Sequence, residues 1–200
     1  MKDLIFDFGG VLVDWNPRYL YRKVFASNEE MEWFLSQVCT PQWNAGQDAG
    51  RPFEQGVKLL TEQYPNYAEQ IKAFDTRWAE MLKGEIPGMR DLIHALKQRG
   101  YKMYGLTNWS AEKLPLAWER YEVLRAMDGV IVSGEEKMIK PSPDIYKCLL
   151  TRFNLQPENC IFVDDNAENR AAAQALGFEV IGFENAAQLQ RELAARQILV

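Results

Sequence analysis

The chain opens on a short apolar run, Leu4 to Phe8, interrupted by one acid, Asp7, and closed by Gly9 and Gly10. A run of this length bounded by glycines predicts a buried strand and a tight turn. Beyond Asp14 the period changes. Ser27 to Glu30 has capping-box spacing ahead of an apolar-periodic stretch reaching Val38, and Arg51-Pro52-Phe53 opens a second helix after a loop at 41–50. Asn66 to Lys83 carries Ile71, Phe74, Trp78 and Leu82 at helical spacing. Residues 15–85 are therefore expected to form a helical insertion, and residues 1–14 and 86–200 the core that it interrupts.

After Pro87-Gly88 the pattern alternates. A helix containing Leu92, Ile93 and Leu96 ends at Gly100, and a strand runs from Tyr101 to Thr107. A helix with Leu116 and Trp118 leads to the strand Val130-Ile131-Val132, a helix over 143–153 and a strand from Cys160 to Val163. An alanine-rich helix from Asn166 to Leu176, a strand from Phe178 to Ile181 and a helix near 186–195 complete the series. Short apolar strands alternating with helices indicate an α/β fold, a doubly wound parallel sheet covered on both faces.

Composition narrows the chemistry. The 200 residues are 47% hydrophobic and 12% aromatic, enough apolar material for a buried core, which argues against disorder. Lys plus Arg number 23 against 28 Asp plus Glu, a formal charge of -5, so neither nucleic acid nor an anionic membrane surface is an expected partner. Cys39, Cys148 and Cys160 are odd in number and sit in apolar surroundings, which excludes a disulfide framework and a zinc knuckle. The first residues lack the apolar length of a signal or membrane segment, and a cytoplasmic setting is expected. A single histidine, His94, beside the apolar positions of its helix, excludes histidine triads and zinc sites and reads as an exposed helix residue. Carboxylates are left to carry the chemistry.

In an open parallel sheet, ligands bind outside the carboxyl ends of the strands. Asp7, Thr107 with Asn108, Ser133 leading to Lys140, and Asp164 with Asp165 occupy those ends. An ionised Asp7 inside an apolar run suffers a heavy desolvation penalty unless partnered, and Asp164 holds the equivalent place after Ile161-Phe162-Val163. Crowded carboxylates repel, and a bound cation removes the conflict. Oxygen ligands without histidine or cysteine suit a hard ion, Mg²⁺, that also bridges to a phosphate. Lys140, set before Pro141-Ser142-Pro143, is placed to neutralise phosphate oxygens.

With these residues in view, the chain resembles the haloacid dehalogenase-like hydrolase superfamily over nearly its full length. Asp7-Phe8-Gly9-Gly10-Val11-Leu12 looks like the first motif and Leu106-Thr107-Asn108 the second. Lys140-Pro141 with Ile145-Tyr146 looks like the third, and Asp164-Asp165 with Asn169 the fourth. The insertion resembles the cap that covers the active site in one branch. The resemblance implies a phosphatase in which Asp7 is the nucleophile, forming an aspartyl-phosphate that water hydrolyses. It implies Mg²⁺ held by Asp7, the Gly9 carbonyl and Asp164, with Asp165 a water-mediated ligand. Thr107 and Asn108 would hydrogen-bond the phosphoryl oxygens of a small phosphorylated substrate, and Lys140 would balance charge on nucleophile and phosphate.

One position departs from the pattern. Phosphatases of the superfamily mostly carry a second Asp two residues after the nucleophile, as general acid and then base, and here Gly9 stands there. Three readings stay open: Asp14 or Asp48 substitutes, the leaving group needs little protonation, or the reaction is not phosphoryl transfer. The last points to 2-haloacid dehalogenases, where the same Asp expels halide without a metal. They do not keep the paired acids that Asp164-Asp165 represents, so a sugar-phosphate phosphatase is the favoured expectation. A phosphate-binding module without turnover explains Gly9 but leaves Asp7 and Lys140 without a purpose. Trp33 and Trp78 read as packing residues. Trp15, Trp43 and Trp109 are expected at a cleft between insertion and core, with Asp14, Asn16, Arg18, Asp48 and Arg51 as polar candidates for specificity.

Overall fold

The computed structural model describes residues 2–198. The first apolar run becomes strand β1 (Asp3–Phe6), and the chain turns through Gly10 at φ +77°, a conformation that glycine adopts without a Cβ clash. Strand β2 (Val13–Trp15) follows. Helices α1 (Arg18–Tyr21), α2 (Asn28–Gln37), α3 (Pro41–Asp48), α4 (Phe53–Gln63) and α5 (Ala68–Thr76) come next, before the chain returns in strand β3 (Leu82–Glu85). β2 and β3 pair antiparallel, Val13 opposite Glu85, so the helical segment leaves and rejoins the fold through a two-stranded ribbon.

Ser27 caps α2 by accepting from the Glu29 and Glu30 amides, as its spacing predicts. The segment 41–50, expected as a loop, is largely α3. Thr40 Oγ1 accepts from the Trp43 amide at 3.0 Å and Pro41 fills the first turn, a start signal hidden by the lack of apolar periodicity in the residues that follow. The helix expected through Lys83 stops at Thr76. Trp78–Met81 form a 3₁₀ turn and Leu82 begins β3, so the spacing of Trp78 and Leu82 arises from a turn followed by a strand.

The remainder alternates as expected: α6 (Met89–Gln98), β4 (Met103–Thr107), α7 (Leu114–Arg120), α8 (Glu122–Arg125), β5 (Gly129–Val132), α9 (Ser133–Glu136), α10 (Pro143–Phe153), β6 (Cys160–Asp164), α11 (Ala167–Ala175), β7 (Glu179–Gly182) and α12 (Ala186–Ala195). Five strands form one parallel sheet in the order β5-β4-β1-β6-β7, a doubly wound α/β core. The chain builds outward from β1 on one side and then on the other. Strand order therefore reverses between β1 and β6, where such sheets place ligands.

Side chains alternate across the sheet. Leu4, Phe6, Ile161 and Val163 join Ile93 and Leu96 of α6 and Leu189 and Leu193 of α12, while Ile5 and Phe162 face Ile145, Tyr146 and Leu149 of α10. The first cluster continues without a break into Tyr21, Phe34, Phe53 and Phe74 of the helical segment. Among the described residues no helix is long and apolar enough to cross a membrane.

One contact ties the core to the loop after Asp7. A Cβ on Gly105, in β4, would lie 2.6 Å from two ring atoms of Phe8 and 3.0 Å from Val130. The Phe8 ring thus fills the space that this glycine leaves open. Gly105→Ala is expected to destabilise the fold by about 1–3 kcal/mol through overpacking. Urea unfolding measures this, and an unchanged midpoint would show that Phe8 has room to move.

Candidate active site

Register sets the site. Phe6 lies opposite Gly105 of β4 and Val163 of β6, so Asp7 emerges level with Asp164 on the same edge of the sheet, its amide donating to the Val163 carbonyl at 3.0 Å. Thr107 ends β4, beside β1. Between the two acids sits Lys140, from the loop before α10. Its ammonium is fully buried, 3.0 Å from Asp7 Oδ2 and 2.8 Å from Asp164 Oδ2.

Each member is held by further bonds. The Asn108 carboxamide clasps the Lys140 main chain: Oδ1 accepts from the Lys140 amide at 2.8 Å, and Nδ2 donates to its carbonyl at 2.9 Å. This positions Lys140 and leaves the second N–H of Nδ2 on a side chain expected to reach phosphoryl oxygens. Asp164 accepts from the Asn166 amide at 2.8 Å, and from Asn169 Nδ2 at 3.2 and 3.1 Å. Asp7 Oδ1 accepts from the Phe8 amide at 2.6 Å. Asp165 is exposed, and its carboxylate closes over Gly10, where a Cβ would come within 2.6 Å of Oδ2.

Asp7, Asp164 and Asp165 each offer an oxygen within 4.8 Å of the others. Burial, followed by the charge of Asp164, raises the Asp7 carboxyl above its ordinary range, with Lys140 opposing. Partial desolvation of its carboxylate, followed by the charge of Asp164, raises Asp165 as well, although its side chain reaches solvent. Burial works to lower the Lys140 pKa, but Asp7 and Asp164 more than offset it, so the ammonium is held above its ordinary value. The Thr107 hydroxyl, at the same edge, is buried without a hydrogen-bond partner.

A cavity of about 60 Å³ over Gly9 is lined by Trp15, Asp48, Trp78, Asn108 and Trp109. A larger cleft of about 550 Å³ shares Trp15, Asp48 and Asn108 with it and extends to Arg18, Glu32 and Phe74. Trp15 and Trp109 are thus at the cleft as expected, but Trp43 is not. Its ring packs edge-on against Phe74 at 5.0 Å, and its Nε1 donates to the Gly56 carbonyl at 3.2 Å. Trp78, expected only to pack, takes the place at the cavity, with its ring 5.5 Å from that of Trp109. Trp33 is 45% exposed, lying against Tyr67 rather than in the core.

The polar candidates divide in the same way. Arg18 and Asp48 line the cleft, whereas Asp14 accepts from the Tyr19 hydroxyl and Arg51 turns to Gln47 and the Trp43 carbonyl. Asn16 accepts from the Arg18 amide. Asn44, one helical turn before Asp48 and part of both cavities, had no signal in a segment read as loop. His94 is exposed, as expected.

The haloacid dehalogenase-like hydrolase family matches residues 1–177. A phosphorylated carbohydrates phosphatase of Thermotoga maritima is 26% identical over 184 residues, 90% of this chain and 84% of that one. A sesquiterpene phosphatase of Aspergillus oryzae is 26% identical over 204 residues, 99% of this chain and 96% of that one. Among solved structures, a HAD family enzyme of Bacteroides thetaiotaomicron superposes with a TM-score of 0.75 at 22% identity, covering 96% of this chain and 98% of the other. That enzyme has also been solved with magnesium and inorganic phosphate.

Three carboxylates face one ammonium in this cluster, so removing one charge relieves it. In metal-free buffer near about pH 8, Asp7→Asn is expected to raise stability by about 1–2 kcal/mol, at roughly 2–4 °C per kcal/mol. Below its ordinary value of 3.8 the carboxyl is protonated folded or unfolded, and the penalty accrues as pH rises from there to the raised folded-state value of about 7, above which it is complete. The gain therefore shrinks as pH falls towards about 4. Thermal scans across this range check it, and a variant less stable than wild type at about pH 8 contradicts it.

Proposed function

The chain belongs to the haloacid dehalogenase-like hydrolases, and on that footing we propose that it is a Mg²⁺-dependent phosphatase acting through an aspartyl-phosphate on Asp7. Its substrate is a small phosphorylated metabolite with an uncharged body, such as a sugar phosphate. The observation that carries this is the Lys140 ammonium between Asp7 and Asp164, beside a buried Thr107 hydroxyl that lacks a partner.

The residues fit the metal. Their donors are hard oxygens, they lie close enough to share one ion, and they carry more negative charge than Lys140 balances. Asp7, the Gly9 carbonyl and Asp164, with Asp165 through water, would hold Mg²⁺, which supplies neutralisation of phosphoryl oxygens and paired acids. The chain's own groups do the rest. Lys140 opposes the burial that raises the Asp7 carboxyl, favouring the ionised form that attacks phosphorus, and balances charge on the phosphoryl group. The Thr107 hydroxyl donates to a phosphoryl oxygen, and Asn108 fixes Lys140. The helical segment 15–85 serves as a cap that closes the cleft over the substrate.

The cleft also bears on the body of the substrate. Arg18 is engaged by Glu32 through two bonds of 2.5 and 2.6 Å, leaving no free cation among the cleft's lining residues for a second anionic group. Trp15 and Phe74 offer apolar faces, and Asn44 and Thr40 offer hydrogen bonds. The same balance disfavours a 2-haloacid, whose carboxylate would need that cation, although Gly9 suits a halide leaving group.

Phosphate release is expected from sugar monophosphates with Mg²⁺, and loss of release with chelator. Halide release from 2-haloacids without phosphate release would overturn the proposal. Independently of turnover, Mg²⁺ at a hundredfold excess over its Kd should stabilise the fold by about 2.7 kcal/mol. A thermal shift assay reads this, and Asp164→Asn should abolish the shift.

A further inference from the structure

Gly9 leaves a gap that a side chain is free to enter. Its backbone is outside the positive-φ glycines, and a Cβ built there meets nothing closer than Trp109 Cζ3 at 4.0 Å. The cavity over it is also lined by Asp48, the last residue of α3. Asp48 is held from both sides of the cleft. Asn44 Nδ2 donates to its Oδ2 at 2.9 Å, and the Ser110 main chain, in the loop after β4, favours its ionised form. Its main-chain carbonyl accepts from Ser133 Oγ at 2.5 Å, while that oxygen accepts from the Trp109 amide at 2.8 Å.

The next turn of chain makes this approach close. Gly50, at φ +96°, passes so near the core that a Cβ would lie 3.0 Å from the Gly134 carbonyl. Asp14, the other acid near the first loop, lines neither cavity. Among the described residues, Trp15 Nε1 and Trp109 Nε1 are buried donors without an acceptor, and both rings line the cavity between Gly9 and Asp48. An oxygen of a bound ester or a water is what such donors call for.

We propose that Asp48 is the general acid and base of the reaction, supplied by α3 in place of the side chain that Gly9 lacks. The assignment rests on the phosphatase reading above. In the first step an Asp7 carboxylate oxygen bonds to phosphorus and the bond from phosphorus to the ester oxygen breaks. The electron pair stays on the ester oxygen, which takes the Asp48 proton and leaves as an alcohol. In the second step water attacks phosphorus and gives its proton to the Asp48 carboxylate, and the aspartyl oxygen is released with its electron pair. Inorganic phosphate departs, with Asp7 again a carboxylate and Asp48 again protonated. Burial pushes the Asp48 carboxyl up to about 7, with the charge of Asp7 adding to the effect, so the proton is present to be given.

The test varies the leaving group. Asp48→Asn should lower kcat/KM, which reports the steps up to departure of the leaving group, on a sugar phosphate by about 10²- to 10⁴-fold, the contribution of a positioned acid. On p-nitrophenyl phosphate, whose leaving group is stable as its anion, the loss should be far smaller. Adding Gly9→Asp to Asp48→Asn should restore much of the sugar-phosphate activity, because the new carboxylate enters the same cavity. A second measurement needs no variant: across substituted aryl phosphates the wild-type rate should depend little on leaving-group basicity. Equal losses on both substrates, or a wild-type rate falling steeply with leaving-group basicity, would overturn the role of Asp48 while leaving the phosphatase intact. Absence of phosphate release from every substrate would instead overturn the underlying reading.

Discussion

Lys140 holds its ammonium 3.0 Å from Asp7 and 2.8 Å from Asp164, and the three side chains are between 0% and 12% exposed. Burying such a group removes ions from water, and replacement by apolar residues of similar volume is often neutral or stabilising. Stability alone therefore gives no reason for the cluster. Its composition gives one: two carboxylates and one ammonium, with a third carboxylate alongside, leave negative charge that a cation satisfies. Every other feature of the site either fixes these charges in place or admits a ligand to them.

The fold fixes them with main chain wherever it can. Asp7 directly follows β1 and Asp164 ends β6, the two strands where sheet order reverses, and their separation is set by the register of β1 on β6. Lys140 lies in a loop, and loops are mobile unless tied down. Asn108 ties it with a reciprocal pair of bonds to its backbone, leaving the ammonium rather than the loop to make the site's contacts. Asn169 does the same for Asp164 from α11, and Phe8, seated over Gly105, does so for the loop after Asp7. The scaffold around the charges is thus as specific as the charges.

Much of this was legible in the chain. Asp7 inside an apolar run is conspicuous because burial without partners is so unfavourable, and Asp164 repeats the pattern. The strands of the core were readable because both faces are covered and their runs are continuously apolar. The ribbon of β2 and β3 was not, since its strands span only Val13–Trp15 and Leu82–Glu85 and have no alternation to detect. Helix α3 leaves little trace in the sequence because its residues are mostly polar and only Thr40-Pro41 marks it. The exchange of Trp43 and Trp78 has a related cause: periodicity tells which residues share a helix face, and Trp78 is in a 3₁₀ turn where that face does not exist.

The proposed acid, Asp48, is legible in the sequence only as an alternative to Asp14, because the helix that carries it leaves little signal. Asp48 is one of ten acids between residues 15 and 85 when the segment is read as sequence, and nothing in its neighbours separates it from a surface carboxylate. The close passage of Gly50 by Gly134 and the bond from Ser133 to its carbonyl bring it to the core. Placing the acid there rather than at Gly9 changes what the helical segment does. An acid on the first loop is in position whatever the segment's place, whereas Asp48 is in position only while α3 rests on the loop after β4. With Asp48 as the acid, the packing of α3 on the core and the readiness for proton transfer depend on the same contacts.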